Sequence, residues 1–113
     1  MKREIYDYVK DILDNINYVM EFTKGIEFED FANDKKTVYA VIRSLEIIGE
    51  ASKKIPKDIK EKYKEIPWKQ MSGMRDKLIH EYHGVDIEIV WTVVKKELPP
   101  LKPSIEKMLK DIE

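Results

Sequence analysis

Apolar side chains recur every three or four residues through most of this chain, and nowhere does the two-residue alternation of a strand replace that spacing. Each such stretch places one apolar stripe along one side of a helix, and that stripe needs another helix to cover it. Ile5, Val9, Ile12, Leu13, Ile16, Val19 and Met20 predict a first helix from about Lys2 to Phe22, ended by Thr23-Lys24-Gly25 with Gly25 as C-cap. Phe28 and Phe31 fall in a short connecting turn or half-helix. A second long helix is predicted from an Asp34 N-cap to Lys54, its stripe made of Val38, Val41, Ile42, Leu45, Ile48 and Ala51 or Ser52. Gly49 inside it costs about 1 kcal/mol against alanine, so it is expected to let a neighbouring helix pack close. Pro56 starts a short basic helix to about Lys64. Pro67 opens another to about Tyr82, with Ser72-Gly73 as a possible interruption and Gly84 as the break. Asp86 caps a helix carrying Ile87, Ile89, Val90, Val93 and Val94, which Pro99-Pro100 should kink or end. Leu101, Ile105, Met108, Leu109 and Ile112 mark a final amphipathic stretch. The expected fold is all-α, an antiparallel bundle of four to five main helices, in a single domain over residues 1–113.

Composition narrows the function classes. At 42% apolar and 113 residues, the chain has enough apolar surface for one core. The absence of cysteine removes disulfides, zinc–thiolate sites and thiol nucleophiles, and fits a reducing cytosol. No apolar run approaches the roughly 18 to 20 residues of a membrane span, and Met1-Lys2-Arg3-Glu4 leads into an amphipathic pattern, so a cytoplasmic protein is expected. Lysine and glutamate abound while Gln70 is the sole glutamine, a bias typical of thermophiles. Net charge is −1, but it is unevenly spread. Residues 1–34 hold four basic and nine acidic side chains; residues 53–77 hold nine basic and four acidic ones. The plain reading is solvated helix faces, and the sharper one is a basic lobe for a polyanion with an acidic arm for another partner.

Glycine-rich phosphate loops, a GxSxG elbow and a paired-histidine zinc helix are all missing. Ser44, Ser52, Ser72 and Ser104 have no obvious base in the sequence. Proton transfer near neutral pH therefore falls most naturally to His80 or His83. Both lie in Arg75-Asp76-Lys77-Leu78-Ile79-His80-Glu81-Tyr82-His83-Gly84-Val85-Asp86, the most chemically mixed run of the chain. RNA cleavage without a metal needs a base for the ribose 2′-OH, an acid for the leaving 5′ oxygen and a cation for the phosphorane. Histidine suits the first two because its pKa lies near working pH. Arginine suits the third because its planar fork donates two hydrogen bonds at once. An arginine and a histidine five apart also occur by chance in helical proteins. Metal binding by His80 and His83 is a further reading, but two imidazoles are too few for zinc and only Glu81 is near to complete the set.

The spacing Arg75-x-x-x-x-His80-x-Tyr82 resembles the RX4HXY pattern of HepT-like proteins, the toxin branch of the HEPN ribonuclease superfamily. The flanks are similar too: Trp68, Met71-Ser72-Gly73-Met74, Val85-Asp86 after Gly84, and upstream a helix opened by Asp34 that runs to Ile48-Gly49-Glu50-Ala51. The resemblance covers nearly the whole chain. One departure is Asp76, where many relatives carry asparagine; a carboxylate beside Arg75 weakens phosphate binding. The resemblance implies a helical bundle that dimerises with its Arg and His motifs facing one groove. It implies a metal-independent endoribonuclease toxin that needs no cofactor and acts on RNA. It also implies a minimal nucleotidyltransferase antitoxin as partner, which adds AMP to the motif tyrosine, here Tyr82.

Helix geometry bears on the dimer. At about 100° per residue, His80 lies roughly 140° around a regular helix from Arg75, while Tyr82 falls nearly on the Arg75 stripe. One straight helix does not aim Arg75 and His80 at the same phosphate, so the helix is distorted or two chains share a groove. The catalytic candidates are then Arg75 for phosphate and His80 for proton transfer, with Tyr82 as regulatory acceptor. Asp76, Glu50 and His83 are weaker site candidates. Competing classes are a non-catalytic helical adaptor for a nucleotidyltransferase and a domain whose Arg75 binds a mononucleotide without cleaving anything.

Overall fold

The computed structural model describes residues 2–79 and 86–113, and gives backbone alone for Lys2, Arg3, Arg75 and residues 77–79. The described residues form helices α1 (Lys2–Thr23), α2 (Phe28–Ala32), α3 (Lys35–Lys54), α4 (Lys57–Lys62), α5 (Trp68–Ile79), α6 (Ile87–Thr92) and α7 (Leu98–Ile112), with no strand among them. A π-helical turn, Val93–Glu97, joins α6 to α7. The all-α bundle expected from the periodicity is what forms.

The long helices do most of the packing. α1 lies chiefly on α3 and also on α7, and α3 on its other side receives α5. Val9, Ile12, Ile16 and Val19 of α1 are fully buried, as are Val41, Leu45 and Ile48 of α3. Each such side chain contributes about 1.5–3 kcal/mol relative to exposure. Ile5, Leu13, Met20 and Ile42, the remaining stripe positions, pack partly buried against this core. Gly49, Ser44, Ala51 and Ser52 are all buried on α3.

Local chemistry sets the element ends. Gly25 follows α1 at φ +74°, a left-handed conformation that costs glycine nothing and other residues much. Asp34 caps α3: its carboxylate accepts from the Thr37 amide at 3.2 Å and from the Thr37 hydroxyl at 2.7 Å. Asp86 caps α6 by accepting from the Glu88 and Ile89 amides at 3.0 and 3.3 Å. The half-helix around Phe28 and Phe31 is α2, and it buries Phe31 against Trp91 with ring centroids 4.9 Å apart.

One expectation needs correction. Ser72-Gly73 does not interrupt α5, which runs unbroken from Trp68 to Ile79 because Met71 and Met74, buried on either side, clamp that turn to the core. The expected extension to Tyr82 and break at Gly84 lie outside the described residues. Near Pro99 and Pro100 the helix does change, as their kink-or-end expectation allows: α6 stops at Thr92. The chain widens into the π-turn just before them, where the Leu98 amide donates to the Val93 carbonyl. The prolines then occupy the first turn of α7, where their missing N–H groups cost least.

Candidate active site

The motif begins on α5, so what holds α5 positions the chemistry. Trp68 anchors its start: the ring is buried and its indole N–H donates to the Tyr63 carbonyl at 3.1 Å. Met71 and Met74 then seat one side of the helix in the core. The backbone of Arg75 follows directly, carried on the helix that packs against α3. His80, Tyr82 and His83 lie outside the described residues.

Asp76 is exposed on α5 and lies 3.5 Å from the Lys53 ammonium at the C-terminal end of α3. Both partners are about half exposed, so solvent screens the pair and it adds little stability. Its consequence is electrostatic. The carboxylate that departs from the family pattern is matched by a cation, which offsets the negative field it sets beside Arg75. This partner is 23 residues away in sequence, on a different helix, so periodicity could not reveal it. The one hint was the excess of lysine in residues 53–77.

Glu50 sits one turn before Lys53 on α3 and lies 3.9 Å from an Arg43 nitrogen, which is also 4.0 Å from Glu46. Arg43, Glu46, Glu50 and Lys53 thus form a charged ladder along the edge of α3 that ends at the Asp76 contact. Between Lys69 and Asp76 on α5, Gly73 leaves open space: apart from its chain neighbours and the backbone of its own helix, no described atom lies within 4 Å of where a Cβ would stand. The Ser72 hydroxyl beside it is buried without a hydrogen-bond partner.

A cleft of about 370 Å³ lies between α5 and the start of α7, lined by Gln70, Met71, Met74 and Ser104 among others. Gln70 donates to Glu97 across it. Met74 and Asp76 are two residues apart, about 200° around the helix. The cleft therefore opens on the far side of α5 from the Lys53–Asp76 contact. Among the described residues, no group of three or more His, Asp or Glu side chains could hold a metal ion, and no helix is long and apolar enough to cross a membrane.

Comparison with known proteins gives this helix a context. A family model described as "Ribonuclease HepT-like" matches residues 12–108, a span that includes Arg75, His80 and Tyr82. A Thermococcus cleftensis protein provisionally named ribonuclease HepT is 56% identical over 110 residues, covering 97% of this chain and 100% of its own. A Methanocaldococcus jannaschii protein provisionally named as an RNase is 54% identical over 112 residues, covering 99% of this chain and 93% of its own. A similarly named protein of Caldanaerobacter subterraneus is 48% identical over 102 residues, covering 90% and 91%. No solved structure matches. With a family model spanning most of its length and relatives matched nearly end to end, the chain belongs to the HepT-like ribonuclease family.

Proposed function

We propose that this chain, folded as a single domain over residues 1–113, is a metal-independent endoribonuclease and the toxin of a HepT/minimal-nucleotidyltransferase pair. The observation that carries the reading is the Arg75-x-x-x-x-His80-x-Tyr82 spacing inside the span matched by the ribonuclease family. His80 takes the proton from a ribose 2′-OH, whose oxygen attacks the adjacent phosphorus. The P–O5′ bond breaks, and a second His80, from the other copy in a dimer, returns a proton to the leaving oxygen. Products are a 2′,3′-cyclic phosphate and a 5′-hydroxyl. Arg75 holds the phosphate with two parallel hydrogen bonds and steadies the charge of the phosphorane.

Regulation follows from Tyr82. Its phenolate oxygen attacks the α-phosphorus of ATP bound to the antitoxin, a P–O bond forms, and pyrophosphate leaves. The added AMP carries negative charge and bulk beside the RNA groove and repels the substrate backbone. Arg75→Ala and His80→Ala each abolish cleavage, a loss of several orders of magnitude, with helical content unchanged. Chelator leaves the wild-type rate intact, and mass spectrometry of the products finds 2′,3′-cyclic ends. Full activity in His80→Ala would remove the catalytic assignment. For Tyr82, incubation with the cognate nucleotidyltransferase and ATP adds AMP-sized increments to the intact mass, which vanish in Tyr82→Phe.

A further inference from the structure

Residues 53–69 carry seven lysines against three carboxylates. Elsewhere Lys10 lies 3.2 Å from Asp14 and Arg43 pairs with Glu46 and Glu50, and the remaining lysines are interspersed with carboxylates along the sequence. In the lysine-rich segment only Lys53 reaches a carboxylate, Asp76, while Lys54 sits 5.7 Å over the Tyr8 ring. Among the described residues, no carboxylate lies within 4 Å of the ammonium groups of Lys57, Lys60, Lys64 or Lys69.

The arrangement is directional. Ile59 and Tyr63 turn the inner side of α4 to the core. At about 100° per residue, Lys57 and Lys60 lie roughly 160° and 100° around from Ile59. Lys62 falls on the opposite side, where it lines a cleft with Tyr63 and Asp111. Lys64 is exposed in the turn after α4, and Lys69 is exposed on α5. Lys69, Gly73 and Asp76 follow at four- and three-residue spacing, so they share one stripe of α5, and the backbone of Arg75 stands at the end of that stripe, about 100° around from Asp76. Gly73 leaves that stripe open between its two charged ends.

We propose that Lys57, Lys60, Lys64 and Lys69 form an RNA-contacting surface separate from the bond-breaking residues, which takes substrate phosphates away from the cleaved bond and leads the strand along α5 to Arg75. The proposal rests on the ribonuclease reading and adds the substrate class: single-stranded RNA long enough to reach from the motif to α4. A protein partner fits this surface poorly. The exposed large apolar side chains, Tyr18, Phe22 and Tyr39, lie on α1 and α3, so the lysine face lacks the apolar and aromatic anchors that centre protein interfaces. The open turn at Gly73, one turn after Lys69, suits the close approach of a phosphate backbone instead.

The test replaces all four lysines by glutamine in the full chain (Lys57→Gln, Lys60→Gln, Lys64→Gln, Lys69→Gln). Cleavage of a dinucleotide, too short to reach the surface, is expected to stay within about twofold, whereas kcat/KM on a long single-stranded RNA at low salt falls by about tenfold or more. Binding of that RNA, followed by fluorescence anisotropy in a His80→Ala background, should lose about 0.7 from its log–log salt slope per lysine removed, nearly 3 in all. An unchanged slope, or equal loss on the dinucleotide, would overturn the proposal. So would an altered oligomeric state by sedimentation, which would mean that the lysines meet the acidic α1 of a second copy. If wild-type protein cleaved nothing yet bound long RNA through these lysines, the catalytic reading would fail and the surface would stand.

Discussion

At Gly73, α5 carries a residue with poor helix propensity where packing does not demand it, since a Cβ there would meet nothing within 4 Å. Gly73→Ala should therefore raise stability by about 0.5–1 kcal/mol, because the unfolded chain loses freedom and the helix gains a better former. Thermal unfolding reads this directly, and a lower Tm would mean that the site is more crowded than it stands here. If Tm rises while RNA cleavage drops, the open turn serves the approach of substrate. Asp34 makes a different residue-scale prediction. The Thr37 hydroxyl, and then the Thr37 amide, hold its carboxyl below the ordinary value of 3.8. A depressed folded pKa means that the carboxylate's contribution is fully present above the unfolded value and is lost as pH falls through the lower folded one. The Tm gap between wild type and Asp34→Ala should thus hold steady near neutral pH and narrow below about pH 4. A gap that persisted unchanged in strong acid would mean that the cap does not depend on charge.

The elements show what a sequence can disclose and what it hides. α1 and α3 were legible because their stripes obey a period that one residue after another repeats, and their caps, Gly25 and Asp34, act on immediate neighbours. The Ser72-Gly73 turn was misread because its outcome rests on tertiary context: buried Met71 and Met74 carry α5 through it. The Pro99-Pro100 pair showed where a helix changes but not the form of the change, a π-turn placed before the prolines. Candidate residues Arg75 and His80 were legible as a spacing, but the Lys53–Asp76 pair was not, since it joins two helices. The seating of α5 on α3 is open to test through Met71, which is fully buried. Met71→Ala should cost about 2–5 kcal/mol through lost burial and the cavity left behind. Chemical denaturation would show it as a lower midpoint with the same slope. A cost under about 1 kcal/mol would mean that α5 is not anchored through this side chain.

At the scale of the whole molecule, one chain leaves the proposed chemistry incomplete. Acid and base are two roles for His80, and a regular helix continued to it would set it about 140° around from Arg75. A two-fold dimer resolves both points by bringing two copies of each residue to one groove. If both His80 copies serve one groove, a single substituted copy should silence the dimer, because either the base or the acid is then missing. Linking a wild-type copy to a His80→Ala copy isolates this mixed dimer from wild-type homodimers, and its RNA cleavage should fall far below half of the wild-type rate. Sedimentation at micromolar concentration checks that dimers are present in every sample. A linked dimer that kept about half of the wild-type rate would show instead that each site is built within one chain.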